Sequence, residues 1–409
     1  MRGLKLISTL TIAAALAACE STSGSDGPLA ELPRPLTSSE ESLIRASNGF
    51  AFGLLREGIR RDSLDNFFLS PLSASMALGM TMNGARGETF TEMRSTLGFG
   101  AMEPAEINSS YRSLIDLLLG LDESVDMRLA NSLWVHRDFP LHDAFVKSSA
   151  ESFGAKVSPL DFNNPASVNT INAWVKESTN GRIEKIMDEL DRDVVLYLIN
   201  AVYFKGTWTQ QFDPKRTQQA LFKRADGKEQ PVQMMHLPDA QIRAFRTQDV
   251  QIVDLPYGRE AFSMTLILPP QGKPIEEWAA TLTEAQWQAW MGQLQDAKLD
   301  VYLPRFRLEY EQLLNETLKA LGMRSAFDSR AADLSGISPV DLFIDKVRQK
   351  TFLEVNEKGT EAAAVTSVGA VPTSLPPSFR ADRPFLLAIR ERLSGTLLFI
   401  GLIGAPPSE

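Results

Sequence analysis

The chain has 409 residues, of which 44% are hydrophobic and 23% are charged, a composition typical of a globular protein. Its net charge of −9, without any run of Lys and Arg, excludes a nucleic-acid-binding surface, because phosphate binding needs clustered cations. The single cysteine excludes an internal disulfide.

Residues 1–18 have the features of a signal peptide. Arg2 and Lys5 give a positive start, and residues 6–16 form an apolar stretch that is too short for a permanent membrane span. This stretch ends in Leu-Ala-Ala-Cys, which resembles the lipobox of bacterial lipoproteins. We therefore expect cleavage before Cys19 and lipidation of its sulfur. The alternative is an ordinary secretory signal with an incidental cysteine.

Residues 19–36 are rich in Ser, Gly and Pro and predict a flexible tether. A lipid at its start would anchor the protein to a membrane rather than thread the chain through one. We therefore expect an extracytoplasmic lipoprotein in the periplasm or at the cell surface. Residues 37–409 contain no second linker, repeat or low-complexity tract, and this predicts one domain.

Four segments of the domain have the apolar period of a helix. A capping box at Ser38 and Glu41 predicts the start of the first helix, and Ser70 followed by Pro71 predicts the start of the second. The second and third helices are predicted to end at the glycines that follow Asn83 and Asn180, and the fourth at Gly322. The segments are residues 43–55, 71–83, 171–175 and 313–321.

Five segments rich in β-branched and aromatic residues predict strands. The last two are separated by six residues and predict a hairpin. Helices concentrate in the first half of the chain and strands in the second, which favours an α+β fold over a repeating β-α-β fold. The predicted strands are residues 194–204, 262–268, 299–303, 385–389 and 397–403.

Residues 357–376 combine a charged turn, a run of small side chains and a proline-stiffened end. As a strand, this segment would place Thr360, Ala362, Ala364 and Thr366 on one face. Their small side chains could enter a packed sheet without overpacking it. Taken alone, the segment is also typical of an ordinary Gly/Ala/Pro-rich surface loop.

Five motifs follow one another along the chain, at residues 67–73, 83–89, 200–208, 357–364 and 383–385. Together they resemble the serpin family over residues 40–406. The resemblance implies three sheets, about nine helices, an exposed reactive-centre loop and a metastable native state. It also implies suicide inhibition, in which a serine protease cleaves the loop as a substrate and the freed loop inserts into the main sheet. The acylated protease is carried along and deformed, so that its triad and oxyanion hole fail. The motifs are FFLSPLS (67–73), NGARGET (83–89), NAVYFKGTW (200–208), EKGTEAAA (357–364) and RPF (383–385).

The resemblance also implies a reactive bond between Thr373 and Ser374, because Glu357 to Thr373 spans the 17 residues of inhibitory members. No Lys or Arg lies between Gly359 and Phe379, and the residues before the bond are small or β-branched. We expect an elastase-like or subtilisin-like target. Cleavage at residues 368, 370 or 371 and a papain-like cysteine protease stay open. The implied hinge residues are Glu357, Gly359, Thr360, Glu361, Ala362, Ala363 and Ala364.

Further positions carry the family's supporting roles by resemblance. Trp208 matches the breach tryptophan, where the loop enters the sheet. Ser70, Ser73 and Asn200 match the shutter beneath the sheet. Gln349 stands where the family usually has His, and its amide does not titrate near neutral pH. Arg305 and Glu357 resemble a hinge ion pair.

An enzymatic function has no sequence support. The chain lacks Gly-x-Ser-x-Gly, Ser-x-x-Lys and His-Glu-x-x-His motifs, and its three histidines lack metal-ligand spacing. We expect no metal and no cofactor, and we expect a monomer whose partner is a protease. The rival is a non-inhibitory serpin-like binding or structural module. Its hinge would carry charge, bulk or proline, and this hinge carries small residues.

Overall fold

The computed structural model describes residues 27–61, 65–360 and 377–407. Within them lie nine α-helices and 14 strands, which confirms the α+β class and the expected number of helices. Three predicted helices are present. The fourth is shorter than its apolar pattern, because Leu313 still belongs to a strand. The helices are α1 (Ser38–Arg61), α2 (Pro71–Met82), α3 (Gly87–Thr96), α4 (Pro104–Leu119), α5 (Asp143–Phe153), α6 (Ser167–Ser178), α7 (Ile275–Ala279), α8 (Glu284–Met291) and α9 (Asn315–Ala320).

The predicted strands are also present, two of them at the predicted bounds. Residues 299–303 prove to be part of a 19-residue strand. The strands are β1 (Asn66–Leu69), β2 (Val125–His136), β3 (Lys156–Leu160), β4 (Leu196–Thr207), β5 (Gln218–Lys223), β6 (Glu229–Arg246), β7 (Gln251–Tyr257), β8 (Phe262–Leu268), β9 (Gln295–Leu313), β10 (Lys346–Val355), β11 (Gly359–Thr360), β12 (Ser378–Arg380), β13 (Phe385–Glu391) and β14 (Leu397–Ile403).

The strands follow the order β1-β14-β13-β8-β7-β6-β9-β10-β4-β2-β3. The long strands β6 and β9 each pair with three other strands. They therefore connect the three expected sheets to one another. Strands β5, β11 and β12 pair with β6, β4 and β9, respectively. The predicted C-terminal hairpin is confirmed by the antiparallel pairing of β13 with β14.

The part of the sheet formed by β3, β2, β4, β10 and β9 is covered on both faces. One core cluster joins it to α1 and α2, and a second cluster, which includes Ile171 and Val175, joins it to α6. Residues 196–204 of β4 are therefore all buried, which explains why Asn200 is the one amide in an otherwise apolar and aromatic sequence. All of α2 is buried as well. Its hydrophobicity on every side fits a helix enclosed by the core.

The segment before α1 packs on the folded body. The backbone N–H of Leu29 donates to the carbonyl of Arg259 at 2.6 Å, and Leu29, Leu32 and Leu36 pack against the main core. Residues 27–36 are therefore part of the body rather than of a flexible tether. The rest of the predicted tether, Cys19 and the signal peptide lie outside the described residues. No described helix has the length and hydrophobicity needed to cross a membrane.

Candidate functional site: the opening between β4 and β10

Strands β4 and β10 pair over only part of their length. Their parallel pairing joins residues 346–351 to residues 197–202. Beyond this point β10 continues to Val355 and β4 continues to Thr207 without pairing to each other. We call the space between residues 352–355 of β10 and residues 203–207 of β4 the opening. It lies directly before the predicted reactive loop.

The first hinge residues already occupy the opening. After β10 the chain reverses, and Gly359 and Thr360 form β11, antiparallel to Thr207 and Gly206 of β4. Gly359 has φ +145°, and a Cβ there would lie 2.1 Å from the carbonyl oxygen of Gly206. Only glycine fits this reversal. The other hinge residues, 361–364, and the predicted reactive bond 373–374 lie outside the described residues.

Trp208 holds the turn that leads into β11. Its indole N–H donates to the carbonyl of Asn356 at 2.9 Å, and its backbone N–H donates to the carbonyl of Lys358. The Trp208 ring stacks on Tyr257, with centroids 4.4 Å apart and planes within 10°. The structure therefore places Trp208 against the turn that precedes β11.

Tyr257 is a site residue that the sequence analysis missed. Its hydroxyl lies 2.9 Å from Oγ1 of Thr360, and both side chains are buried. Burial raises the pKa of the Tyr257 phenol, so the group stays protonated and available as a donor. Tyr257 ends β7 and is distant in sequence from both partners. No local sequence signal could have identified it.

The hinge carboxylate of Glu357 has two side-chain partners. The hydroxyl of Thr217 donates to its Oε1 at 2.7 Å, and Nη1 of Arg305 lies 3.5 Å from the same atom. The predicted pair of Glu357 and Arg305 is present, but the neutral partner is closer. Because the Arg305 side chain is about one-third exposed, we expect the pair to contribute less than about 1 kcal/mol.

Three buried amides form a row across the middle of the sheet. Asn131, Asn200 and Gln349 are register neighbours on β2, β4 and β10. The amide nitrogen of Asn200 donates to Oδ1 of Asn131 at 2.6 Å, and the amide nitrogen of Gln349 donates to Oδ1 of Asn200. We call these residues the amide row. Asn131 was not predicted, since nothing in its local sequence distinguishes it.

The amide row is fixed to the start of α2. Oε1 of Gln349 accepts the backbone N–H of Ser70 at 2.8 Å, and its amide nitrogen donates to the Ser70 carbonyl at 3.0 Å. The amide of Asn200 donates to the hydroxyl and carbonyl of Ser73. The predicted shutter residues Ser70, Ser73, Asn200 and Gln349 are thus brought together. A strand added between β4 and β10 would separate Asn200 from Gln349.

The strand directions make the opening receptive to another strand. Because β4 and β10 run parallel, a strand in the direction of β11 would be antiparallel to both. One parallel ladder would be replaced by two antiparallel ladders, which are slightly more stable per residue. Among the described residues, no group of three His, Cys, Asp or Glu side chains is placed to hold a metal ion.

Comparisons with known proteins agree with this arrangement. The family model described as "Serpin (serine protease inhibitor)" matches residues 45–406. Iripin-2 of Ixodes ricinus is 36% identical, over 89% of this chain and 94% of its own. The leukocyte elastase inhibitor of Homo sapiens is 34% identical, over 90% of this chain and 100% of its own. The structure of the thermophilic serpin tengpin in its native state superposes with a TM-score of 0.83 at 30% identity, covering 92% of this chain and 96% of tengpin.

Proposed function

The chain belongs to the serpin family, and from this premise we propose that it inhibits serine proteases covalently, by inserting its cleaved loop between β4 and β10. The observation that carries the proposal is the position of Thr360. Its side chain is buried in the opening and hydrogen-bonded to Tyr257. Strand β11 therefore already forms the first residues of a strand antiparallel to β4, the direction that insertion requires.

The proposed reaction begins as ordinary proteolysis. The protease serine attacks the carbonyl carbon of Thr373 and forms an ester, and the bond to Ser374 breaks as its nitrogen takes a proton from the protease histidine. The fragment that begins with Ser374 stays in the fold through the buried strands β13 and β14. The ester-linked segment then extends β11 into the sheet and moves the protease with it. Deformation of the protease active site stops hydrolysis of the ester, because deacylation needs an intact oxyanion hole.

The register of β11 specifies how the inserted strand would lie. Thr360 pairs with Gly206, and continuing this antiparallel pairing along β4 brings Thr366 opposite Asn200. The hydroxyl of Thr366 would then replace the Gln349 amide as a partner of Asn200. The side chains of residues 362 and 364 would lie on the same inner face, where alanine needs little space.

The sequence before the reactive bond supports a target with a small specificity pocket. Residues 371–373 are Val-Pro-Thr, and the loop offers no Lys or Arg to a pocket with a buried carboxylate. We propose an elastase-like or subtilisin-like serine protease. A papain-like cysteine protease is the second target class, because insertion would trap a thioester in the same way.

We also propose that the inhibitor is held at an extracytoplasmic membrane by a lipid on Cys19. The support is the Leu-Ala-Ala-Cys sequence after a short apolar stretch. Expression with radiolabelled palmitate should label the chain, and Cys19→Ala should abolish the label. Label retained in C19A would contradict lipidation at this residue.

The central test is incubation of the chain from residue 27 onward with pancreatic elastase, followed by a denaturing gel. An inhibitor gives a band at the summed mass of both proteins less the 36-residue peptide that begins with Ser374, which the denaturant releases. Protease inactivated at its catalytic serine is the control and should give no such band. Complete loop cleavage without an adduct would support a non-inhibitory module instead. Mass spectrometry of the released peptide identifies the bond used.

A further inference from the structure

One cavity differs in charge from three others in the described part of the chain. Three cavities have lining residues of both signs, for example Arg45 and Glu106 beside α1, or Arg392 and Glu260 near β7. The fourth lies on one face of β5, β6, β9 and β12 and has a volume of about 300 Å³. No carboxylate is among the described residues that line it. We call it the basic cavity; its ionisable nitrogen groups are Lys215, Arg216, His236 and Arg380.

A stack of three side chains forms one wall of the basic cavity. His236, Tyr302 and Arg380 are neighbours across β6, β9 and β12. The rings of His236 and Tyr302 are 4.3 Å apart and within 4° of parallel. The guanidinium carbon of Arg380 lies 4.3 Å from the centroid of the Tyr302 ring. The stack fixes the imidazole and the guanidinium at the rim of the cavity.

The nearest carboxylates leave most of the donors unused. Asp300 accepts from or pairs with Nε2 of His236 at 2.9 Å, and Asp382 lies 3.3 Å from Nε of Arg380. The terminal nitrogens of Arg380 are left as donors. In the described part of the chain, Lys215 and Arg216 have no carboxylate within ion-pair distance. They lie on the turn at residues 214–216.

We propose that the basic cavity binds a small tetrahedral oxyanion, namely phosphate, sulfate or one of their monoesters. Three permanent cations around one small cavity repel each other, and an oxyanion would remove that repulsion. Guanidinium groups present paired donors that match the oxygens of phosphate and sulfate.

The bound anion would also connect parts of the fold that are otherwise weakly joined. Strand β12 has three residues, and its ladder partner is β9. An oxyanion between Arg380 and the side chains of Lys215 and Arg216 would tie β12 to the opposite side of the cavity. Because the anion binds the folded form, it would stabilise that form by RT ln(1 + [L]/Kd), where [L] is the concentration of free anion.

The test is isothermal titration of the chain from residue 27 onward with inorganic phosphate, at constant ionic strength set with chloride. We expect saturable binding at one site. Arg216→Gln and Arg380→Gln should each weaken binding by about tenfold, because each removes charge-assisted hydrogen bonds. Arg45→Gln, in the cavity beside α1, is the matched control and should bind phosphate like the wild type. Glucose 6-phosphate in a second arm separates a monoester ligand, which would bind more tightly than phosphate, from free phosphate.

Several outcomes would overturn the proposal. These are absence of saturation by phosphate, sulfate and glucose 6-phosphate alike, wild-type affinity in both R216Q and R380Q, or a loss of affinity in R45Q as large as in those two variants. Thermal unfolding of each variant shows whether it folds, and Lys215→Gln offers an exposed position if the arginine variants do not. If the variants slow protease inhibition while the wild type binds no oxyanion, the basic cavity is a protease contact and the proposal is wrong. The titration does not depend on inhibitory activity.

Discussion

Thr360 is the residue at which the proposed mechanism is most exposed to test. Thr360→Arg would force a charge into a buried position beside Tyr257, with no carboxylate to compensate it. Burying an unpaired charge costs several kcal/mol, enough to slow insertion by more than about tenfold relative to ester hydrolysis. We expect T360R to be cleaved as a substrate, with a stoichiometry of inhibition raised by about tenfold or more.

The neighbouring position provides the control for this variant. In the proposed inserted strand, side chains alternate between faces, so that of Glu361, which already carries a charge, would lie on the face opposite Thr360. Glu361→Arg should therefore change the stoichiometry of inhibition far less than T360R. If T360R and the wild type form adducts with equal stoichiometry, insertion through the opening is not the mechanism.

Gln349 is the second residue whose replacement is informative. Gln349→Leu keeps a similar volume but leaves the Ser70 N–H and the Asn200 carbonyl oxygen without this partner. Unsatisfied buried groups cost about 1–3 kcal/mol each, so the thermal unfolding midpoint should fall clearly. Gln349→His can restore donor and acceptor and should recover part of the loss. An unchanged midpoint in Q349L would show that the amide row does not stabilise the sheet.

Which of these residues a sequence can reveal depends on the range of their contacts. Trp208, Asn200 and Gln349 lie in or near motifs whose spacing identifies them. Tyr257 and Asn131 act only through partners on other strands, and those partners are fixed by sheet register. Periodicity assigns each residue to a face of its own strand, but the residues that it meets on other strands depend on the pairing of the whole sheet.

Helix α1 shows a similar limit at the scale of elements. The sequence Thr-Ser-Ser-Glu-Glu fits a capping box in two registers, and the predicted one used Ser38 and Glu41. The structure uses Thr37 and Glu40 instead: the Glu40 N–H donates to Oγ1 of Thr37 at 3.1 Å, and the Thr37 N–H donates to Glu40 at 2.8 Å. The prediction was wrong by one residue, because Glu40 also binds Arg34 and is buried.

The pairing of Arg34 with Glu40 makes the attachment of the N-terminal segment sensitive to acid. Burial opposes ionisation of Glu40, but the hydrogen bonds from Arg34 and Thr37 outweigh it and lower the pKa of Glu40 to about 2. The folded pKa lies below the ordinary value of 4.5, so the ionised pair stabilises the fold above pH 4.5. That contribution is lost as the pH falls from 4.5 towards 2.

Arg34→Gln tests this element directly. The variant should be less stable than the wild type at pH 7, and the difference should shrink as the pH falls from 4.5 to about 2. The measurement is the thermal unfolding midpoint across that pH range. Arg45→Gln is the control, because the pair of Arg45 and Glu41 is exposed to solvent and its nitrogen and oxygen atoms are 3.9 Å apart. A pH-independent difference between R34Q and the wild type would exclude this coupling.

At the scale of the whole molecule, the sheet combines buried, paired strands with one place where pairing is incomplete, the opening between β4 and β10. Strand β4 is buried along residues 196–204, yet it pairs with β10 over only six residue pairs. The upper backbone groups of both strands remain available for another strand. The family motifs predicted such a site. How far β11 already fills this site depends on the free energies of the turn before it, of its hydrogen bonds to β4 and of its side-chain packing. These contributions come from several parts of the fold, so the local sequence did not predict the result.

The last prediction follows from the incomplete pairing at the opening. Cleavage of the loop frees a segment that can complete the sheet with two antiparallel ladders, so cleaved protein should unfold at a higher temperature than intact protein. The measurement is the thermal midpoint before and after limited digestion with elastase. Cleaved T360R should gain less stability, because its arginine resists burial in the opening. If cleaved and intact wild-type protein unfold at the same temperature, the native state stores no free energy for insertion, and a covalent trap of this kind has no driving force.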